Sequence, residues 1–444
     1  IKKQKKFFYS ADQSSILSKL DFELTNDQKK SLNEINQDLK SNQKMFRLLQ
    51  GDVGSGKTIV ALTAAHNVIK SGFQVAVLAP TEILARQHYD LAKKIFNKKT
   101  KINILSSKSE YKDKKKIEKE LINNNIDIIF GTHAIFQKKI IFNKLGLIII
   151  DEQHKFGVNQ RKKLSDKGGD NCDVLLMSAT PIPRTLTMTI YGDMDLSIIK
   201  EKPKIRKEVK TYTKLESKIN EILRFIKKEI NNGNQIFWVC PLIEESKKLD
   251  HSSAVKKFNF LNKKFPNQVA LLHGKTDQNE KEIILNKFLN QKFKILVSTT
   301  IIEVGIDFPN ANVIIIENSN KFGLSQLHQL RGRVGRGNKQ STCILMFKSS
   351  LTENAKKRLN ILKRSTDGFE ISEEDMKLRG FGDILGFKQS GIKMFRLADP
   401  IHNSDLFELA EKEIKEMEKK EVDINKYKTL MKLYDQADVI NDIV

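Results

Sequence analysis

The octapeptide Gly51–Thr58, GDVGSGKT, fits the pattern G-x-x-x-x-G-K-[ST]. Residue types at this spacing can cradle a polyphosphate. Gly51, Gly54 and Gly56 let the backbone turn so that its N–H groups, from Asp52, Val53 and Ser55 onward, face phosphate oxygens. Lys57 is placed to reach the β/γ-phosphates, and the Thr58 hydroxyl to ligate Mg2+. The flanks agree. The apolar RLLQ reads as a strand, and IVALTAAHNVIK reads as a helix whose N-terminus adds a positive dipole end. The competing reading is an ordinary glycine-rich strand–helix turn, and the full motif in this setting outweighs it.

A phosphate loop alone says only that a nucleotide is handled. Residues 147–154, LIIIDEQH, supply the chemistry: an apolar strand delivers two carboxylates at its C-terminal end. Asp151 is expected to hold Mg2+, through water, and Glu152 to orient and deprotonate the attacking water. An acidic pair can also be a mere helix cap, but beside this loop catalysis is favoured. Residues 326–337, QLHQLRGRVGRG, put three arginines within six positions. Charge on a γ-phosphoryl group in flight needs cationic stabilisation, so Arg333 and Arg336 are candidate arginine fingers. Gly332 and Gly335 would let this loop press close to a ligand, which argues against a merely solvated basic loop.

The elements that must position these groups fall into two series. Short continuous apolar runs at 75–79, 126–130, 145–151 and 174–180 alternate with helical patterns, as in a parallel sheet buried on both faces. The charged stretch 200–208, KEKPKIRKE, reads as a linker. The pattern then restarts with runs at 236–243, 269–274, 294–300, 312–317 and 342–347. The expected fold is α/β: two tandem parallel-sheet domains at 24–202 and 203–350. They follow a basic extension, 1–23, and precede a helical region, 351–444. If the phosphate loop lies on one lobe and the fingers on the other, ATP closes the cleft and hydrolysis opens it, which is a motor cycle. Phe237, Trp238 and Cys240 alternate along one strand and read as core.

Composition limits the alternatives. At roughly 100–200 residues per domain, 444 residues make two to four domains. The cysteines Cys172, Cys240 and Cys343 show no metal-ligand spacing and fit a reducing compartment. No apolar run approaches the ~18 residues of a membrane span, so no membrane partner is expected. The net charge is +24, which suits nucleic acid. Arg is a small minority of the 78 basic residues, however, and A/T-rich codons alone favour Lys, Asn and Ile. Charge by itself therefore does not establish a DNA-binding protein.

The order of these motifs resembles superfamily 2 helicases over residues 24 to about 391, which implies that the two parallel-sheet domains are RecA-like. LTNDQ at 24–28 looks like the family's adenine-reading Q motif, with Gln28 the reader. APTEILARQHY at 79–89 and GTHAIFQ at 131–137 resemble motifs that grip a nucleic-acid backbone, which implies contacts from Pro80, Thr81, Arg86, Gly131 and Thr132. SAT at 178–180 resembles the motif linking hydrolysis to lobe movement, implicating Ser178 and Thr180 beside Gln153 and His154. STTIIEVGIDFPNA at 298–311 resembles the motif that meets both DNA and nucleotide. This implies DNA contacts from Thr299 and Thr300, and places Gly305 and Asp307 near the ribose. Gln329 would sit near the γ-phosphate beside the fingers.

Within that superfamily the long strings LLQGDVGSGKT, DEQHKFGVNQR, MSATPIPRTLTMTIYGDMDLSII, WVCPLIEESKKL and FGLSQLHQLRGRVGRG are similar to the RecG family of bacterial branched-DNA translocases. DMKLRGFGDILGFKQSG at 375–391 resembles the segment that RecG shares with the transcription-repair coupling factor. There it couples ATP-driven movement to DNA, with Arg379 and Gln389 as its polar candidates. A plain helix–turn–helix bracing the second lobe is the bland alternative. The family also carries an N-terminal wedge domain of oligonucleotide-binding fold. Residues 1–23 are too few for that barrel, so a chain without the wedge is expected, the wedge having been removed, encoded on another chain or lost. The resemblance implies an ATP- and Mg2+-dependent, monomeric motor on duplex or branched DNA, gripping phosphates independently of sequence, in the bacterial cytoplasm near the nucleoid. A contact with a single-stranded-DNA-binding protein is not readable. The motor module of a transcription-repair coupling factor is the alternative.

Overall fold

The apolar runs become two separate parallel sheets. The structure, a computed structural model, describes residues 14–106, 111–137, 139–152, 172–179, 194–203, 207–241, 247–274, 276–299, 307–335, 337, 339–379, 403–420 and 422–427. The first sheet contains β1 (Phe46–Gly51), β2 (Gln74–Leu78), β3 (Ile102–Leu105), β4 (Ile128–Gly131), β5 (Leu145–Ile150), β6 (Asp173–Ser178) and β7 (Asp195–Ile199). They lie in the order β3-β4-β2-β5-β6-β1-β7. The second sheet contains β8 (Lys210–Leu215), β9 (Gln235–Val239), β10 (Val269–Leu272), β11 (Ile295–Ser298), β12 (Ala311–Ile316) and β13 (Thr342–Phe347), in the order β10-β11-β9-β12-β13-β8. Every pairing in both sheets is parallel.

Interior strands read as unbroken apolar runs because helices cover both of their faces. In β9, Phe237 points into one core of the second lobe, while Trp238 and Cys240 join the opposite one. All three are buried, as core packing requires. β3, β7 and β8 carry no such run and were not legible as strands. They are edge strands, only part-buried, so their side chains need not be continuously apolar.

Three segments differ from the expected division. Part of the N-terminal extension belongs to the first lobe, where Ile16, from the short helix Ser14–Leu17, is buried in the core. The linker is not merely solvated, because Lys202 reaches Asp52 at 2.7 Å and the carbonyl of Thr366 at 3.0 Å. The helices Glu353–Arg364 and Gly368–Arg379 send Leu359, Ile361, Leu362 and Ile371 into the core of the second lobe. They are built into that lobe rather than appended to it. The charged run after residue 403 is helical over Ser404–Lys419, with Leu406, Leu409 and Ile414 exposed.

Candidate active site

In parallel α/β sheets, sites form beyond the C-terminal ends of the strands. Here β1 ends in the loop Gly51–Gly56, β5 ends in Asp151 and Glu152, and β6, between them, ends in Ser178. The loop turns through positive φ at Gly54 (77°) and Gly56 (86°), a region that disfavours side chains. Gly56 also caps the helix Lys57–Lys70, and a Cβ there would run into Nε2 of Gln28. A Cβ on Gly51 would come within 2.5 Å of the Ser55 hydroxyl. Lys57 is buried, and its ammonium donates to the carbonyls of Gly51 (2.7 Å) and Asp52 (2.9 Å). The Ser55 hydroxyl is buried without a hydrogen-bond partner. A loop without Cβ bulk that holds a lysine and an unsatisfied hydroxyl fits a polyphosphate.

Gln28 lies in the third position of the helix Asn26–Lys40 and closes a capping box with Thr25. Its Oε1 accepts from the Thr25 N–H (2.9 Å), and its Nε2 donates to the carbonyl of Ser55 (2.7 Å). Gln28 therefore braces the loop Gly51–Gly56 directly.

Asp151 and Glu152 are both buried. Burial alone would raise the Asp151 carboxyl. The hydrogen bond and charge of His88, then the charge of Lys57, overcome this and hold it below its ordinary range. His88 Nε2 lies 2.8 Å from Asp151 Oδ2, and Oδ1 accepts from the Glu152 N–H at 2.9 Å. Glu152 is pushed the other way, up, first by burial and then by the neighbouring Asp151; Lys57 and Arg333 oppose the rise. One carboxylate stays ionised while its neighbour gains affinity for a proton, which suits an ion ligand beside a general base. Glu152 also sits at φ 51°, a left-handed backbone that a glutamate adopts only when its surroundings impose it. Hard oxygens from the half-buried Thr58 and the ionised Asp151 suit Mg2+.

The second lobe closes onto this site. Arg333 is buried, and its charge acts on Glu152 across the cleft. Gly332 lets the arginine loop press on the phosphate loop, since a Cβ there would meet the Val53 side chain at 3.1 Å. Gly335, at φ 79°, packs beside Val209, at the foot of β8. Gln329, on the helix Leu324–Arg331, is half-buried. His328, one residue earlier, reaches Asp52 at 2.8 Å. Gln87 of the first lobe accepts from the Asp307 N–H (3.1 Å) and donates to its carbonyl (3.3 Å). Ile83, one helical turn away on the same face, packs on the core of the second lobe.

The expected DNA contacts also cluster at strand ends. Pro80 and Thr81 follow β2, with the Thr81 hydroxyl capping the helix Glu82–Ile95 at Leu84 N–H (3.3 Å). Arg86 is exposed, 5.6 Å from the Tyr89 ring. Gly131 ends β4, where a Cβ would meet the Leu105 carbonyl at 2.6 Å, and Thr132 follows it. Thr299, after β11, is buried. Gln153, His154, Thr180, Thr300, Gly305, Arg336 and Gln389 lie outside the described residues, as does the side chain of Arg379. Among the described residues no group of three or more His, Cys, Asp or Glu could hold a metal by itself.

His88, Gln87, Lys202 and His328 are site residues that the sequence reading missed. The i,i+4 spacing of Ile83 and Gln87 was a usable signal for one shared face. Nothing in the spacing of residues 52, 202 and 328 shows that they meet.

Comparison with known proteins matches this architecture piece by piece. The DEAD/DEAH box helicase family matches residues 25–189, and the helicase conserved C-terminal domain matches 217–338. Domain 3, C-terminal, of the ATP-dependent DNA helicase RecG matches 365–433. The chain is 47% identical over 406 residues to the ATP-dependent DNA helicase RecG of Bacillus subtilis, covering 91% of this chain and 59% of that protein. Over nine-tenths of its own length the chain is thus similar to the RecG helicases. The RecG of Aquifex aeolicus is 45% identical over 444 residues, covering 98% of this chain and 56% of the relative. A solved structure of RecG bound to a three-way DNA junction superposes with a TM-score of 0.78 and 41% identity, covering 92% of this chain and 53% of that one. Mss116p bound to single-stranded RNA and AMP-PNP shares the fold alone (TM-score 0.59, 18% identity, 85% of this chain and 82% of that one). The chain thus spans just over half the length of the RecG relatives it matches. The RecG-specific match begins at Ser365, whose carbonyl accepts from Arg331 beside the site.

Proposed function

We propose that this chain is the ATP-driven motor of a RecG-type helicase. It translocates on duplex DNA and remodels branched DNA, as in regression of stalled forks and branch migration of Holliday junctions. The observation that carries the motor reading is that Lys57 of one lobe and Arg333 of the other act on the same buried Glu152. Hydrolysis then requires a closed cleft, and ATP turnover becomes lobe movement. Lys57 and the loop amides bind the phosphates, and Glu152 takes the proton of the attacking water. Arg333 stabilises charge on the transferring group. When bound, Mg2+ neutralises β/γ-phosphate charge; Asp151 and Thr58 would hold it.

The stroke leaves the site through the helix Leu324–Arg331. Ser325 at its start bonds Asp375, in the helix that leads into the 375–391 segment. Movement of the lobe therefore moves that segment, whose Arg379 and Gln389 we assign to coupling with DNA. Gly305 and Asp307 are assigned to the ribose, and Pro80, Thr81, Arg86, Thr132 and Thr300 to the DNA backbone. Binding through phosphates is sequence-independent and weakens steeply with salt. The RecG-specific match over 365–433 favours this reading over the motor of a transcription-repair coupling factor. No described helix is long and apolar enough to cross a membrane.

The test compares ATP hydrolysis without DNA, with linear duplex and with a model fork, beside Lys57→Ala. Stimulation by both DNAs, greater with the fork and lost in Lys57→Ala, is the expected result. Absence of any stimulation would sink the motor reading. Equal stimulation by linear duplex would remove branch preference from this chain while leaving the translocase intact.

His88 supplies a second measurement. It orients the Asp151 carboxylate, and outer-shell partners of this kind are worth about 10–100-fold in metal affinity. His88→Ala should therefore raise the Mg2+ concentration for half-maximal hydrolysis by about tenfold or more. An unchanged Mg2+ dependence would refute this role.

A further inference from the structure

The phosphate loop is built for anions, yet its second residue is an acid. A carboxylate beside bound phosphates repels them, and the repulsion grows as water is excluded. Asp52 is 5% exposed. Its Oδ2 takes the Lys202 ammonium at 2.7 Å, and its Oδ1 accepts from the Val53 N–H at 2.7 Å and from His328 Nε2 at 2.8 Å.

The direction of the His328 bond is settled by its other side. Arg331 Nη2 lies 2.9 Å from His328 Nδ1. A guanidinium can only donate, so Nδ1 accepts and Nε2 carries the hydrogen given to Asp52. Arg331 also donates to the carbonyls of Leu362 (2.7 Å) and Ser365 (2.8 Å). Lys202 donates to the carbonyl of Thr366 (3.0 Å). Both groups that quiet the Asp52 charge are therefore anchored on one short stretch, residues 362–366, beyond the second sheet. Burial alone would raise the Asp52 carboxyl; His328 and Lys202 together hold it well below the usual carboxylate range.

We propose that Asp52 and His328 are positioning residues that tie triphosphate affinity to docking of the second lobe and of the helices behind it. The proposal rests on the nucleotide reading of Gly51–Thr58 and adds how that loop senses closure. With the second lobe docked, His328 satisfies Asp52 and the loop presents net attraction to phosphates. When the lobe swings away, the carboxylate loses that donor beside the phosphates and affinity falls. By linkage, nucleotide binding favours docking by the same factor. The loop thus responds to the same chain segment that leads to the DNA-coupling region, without that segment touching the nucleotide.

The test is a DNA-free titration of the full chain with a fluorescent ATP analogue. His328→Ala should weaken binding about tenfold, the scale of a lost hydrogen bond to a charged partner. His328→Gln, which keeps a donor, should stay within about twofold of the parent. In an Asp52→Asn background the carboxylate charge is gone, and His328→Ala should then cost nothing measurable. The same loss in both backgrounds, or no loss in either, would overturn the proposal, because a role in packing alone is blind to residue 52. Lys57→Ala serves as the control. If it binds as tightly as the parent, the nucleotide reading of the loop fails and the coupling fails with it. If it binds weakly while the two His328→Ala losses match, only the coupling fails.

Discussion

Glu152→Gln is expected to bind ATP as tightly as the parent chain and to hydrolyse it about a thousandfold more slowly, the scale of a lost general base. The reasoning starts from burial. Glu152 is 3% exposed, stands next to the ionised Asp151, and is pushed up by both circumstances. Glutamine fills the same space without the charge, so folding loses nothing and the melting temperature should not fall. An unprotonated carboxylate is the only form that can accept a proton from water, and glutamine has none. Single-turnover hydrolysis with a parallel binding titration separates the two steps. Residual turnover within tenfold of the parent would assign the base elsewhere. A matching loss of ATP affinity would make Glu152 a binding residue instead.

Arg333→Ala is expected to lower single-turnover hydrolysis by about a thousandfold or more, the scale of an arginine finger. ATP affinity should change far less, because the charge it stabilises develops during transfer. The residue comes from the opposite lobe, is almost wholly buried, and its charge already reaches Glu152. Arg333→Lys should recover only part of the rate, since an ammonium lacks the planar fork of donors. Equal losses in affinity and rate would instead describe a ground-state contact. Unlike Glu152→Gln, this variant removes a cross-lobe group, so it should also weaken nucleotide-driven closure. Small-angle scattering with and without a non-hydrolysable analogue would read that difference.

These two residues mark how far the primary structure could be read. Lys57, Asp151, Glu152 and Arg333 could be proposed from the sequence because the chemistry assigned to them depends on local spacing. A glycine-rich turn opens a helix, and an acidic pair ends a buried strand. Ten of the strands were legible, the nine interior ones for a related reason: helices on both faces force continuous apolar runs on interior strands. β3, β7 and β8 escaped because edge strands are covered on fewer sides and carry polar residues such as those of KTYTKL. Gln28 was proposed as an adenine reader from the motif resemblance, but its bond to the Ser55 carbonyl was not legible. Gly335 was read as a residue that frees the arginine loop, but its close approach to Val209 was not legible.

From the residues alone came candidates for phosphate cradling, water activation and an arginine finger, because each needs particular side chains a few residues apart, while the family came from the resemblance of long motif strings. Which distant residues meet at the site was set by the tertiary packing. Asp52 meets His328 and Lys202, Gln87 meets Asp307, and His88 meets Asp151. Each of these pairings joins positions more than sixty residues apart. No periodicity of a helix or strand relates residues at that distance. Their meeting follows from how two sheets and the helices behind them pack.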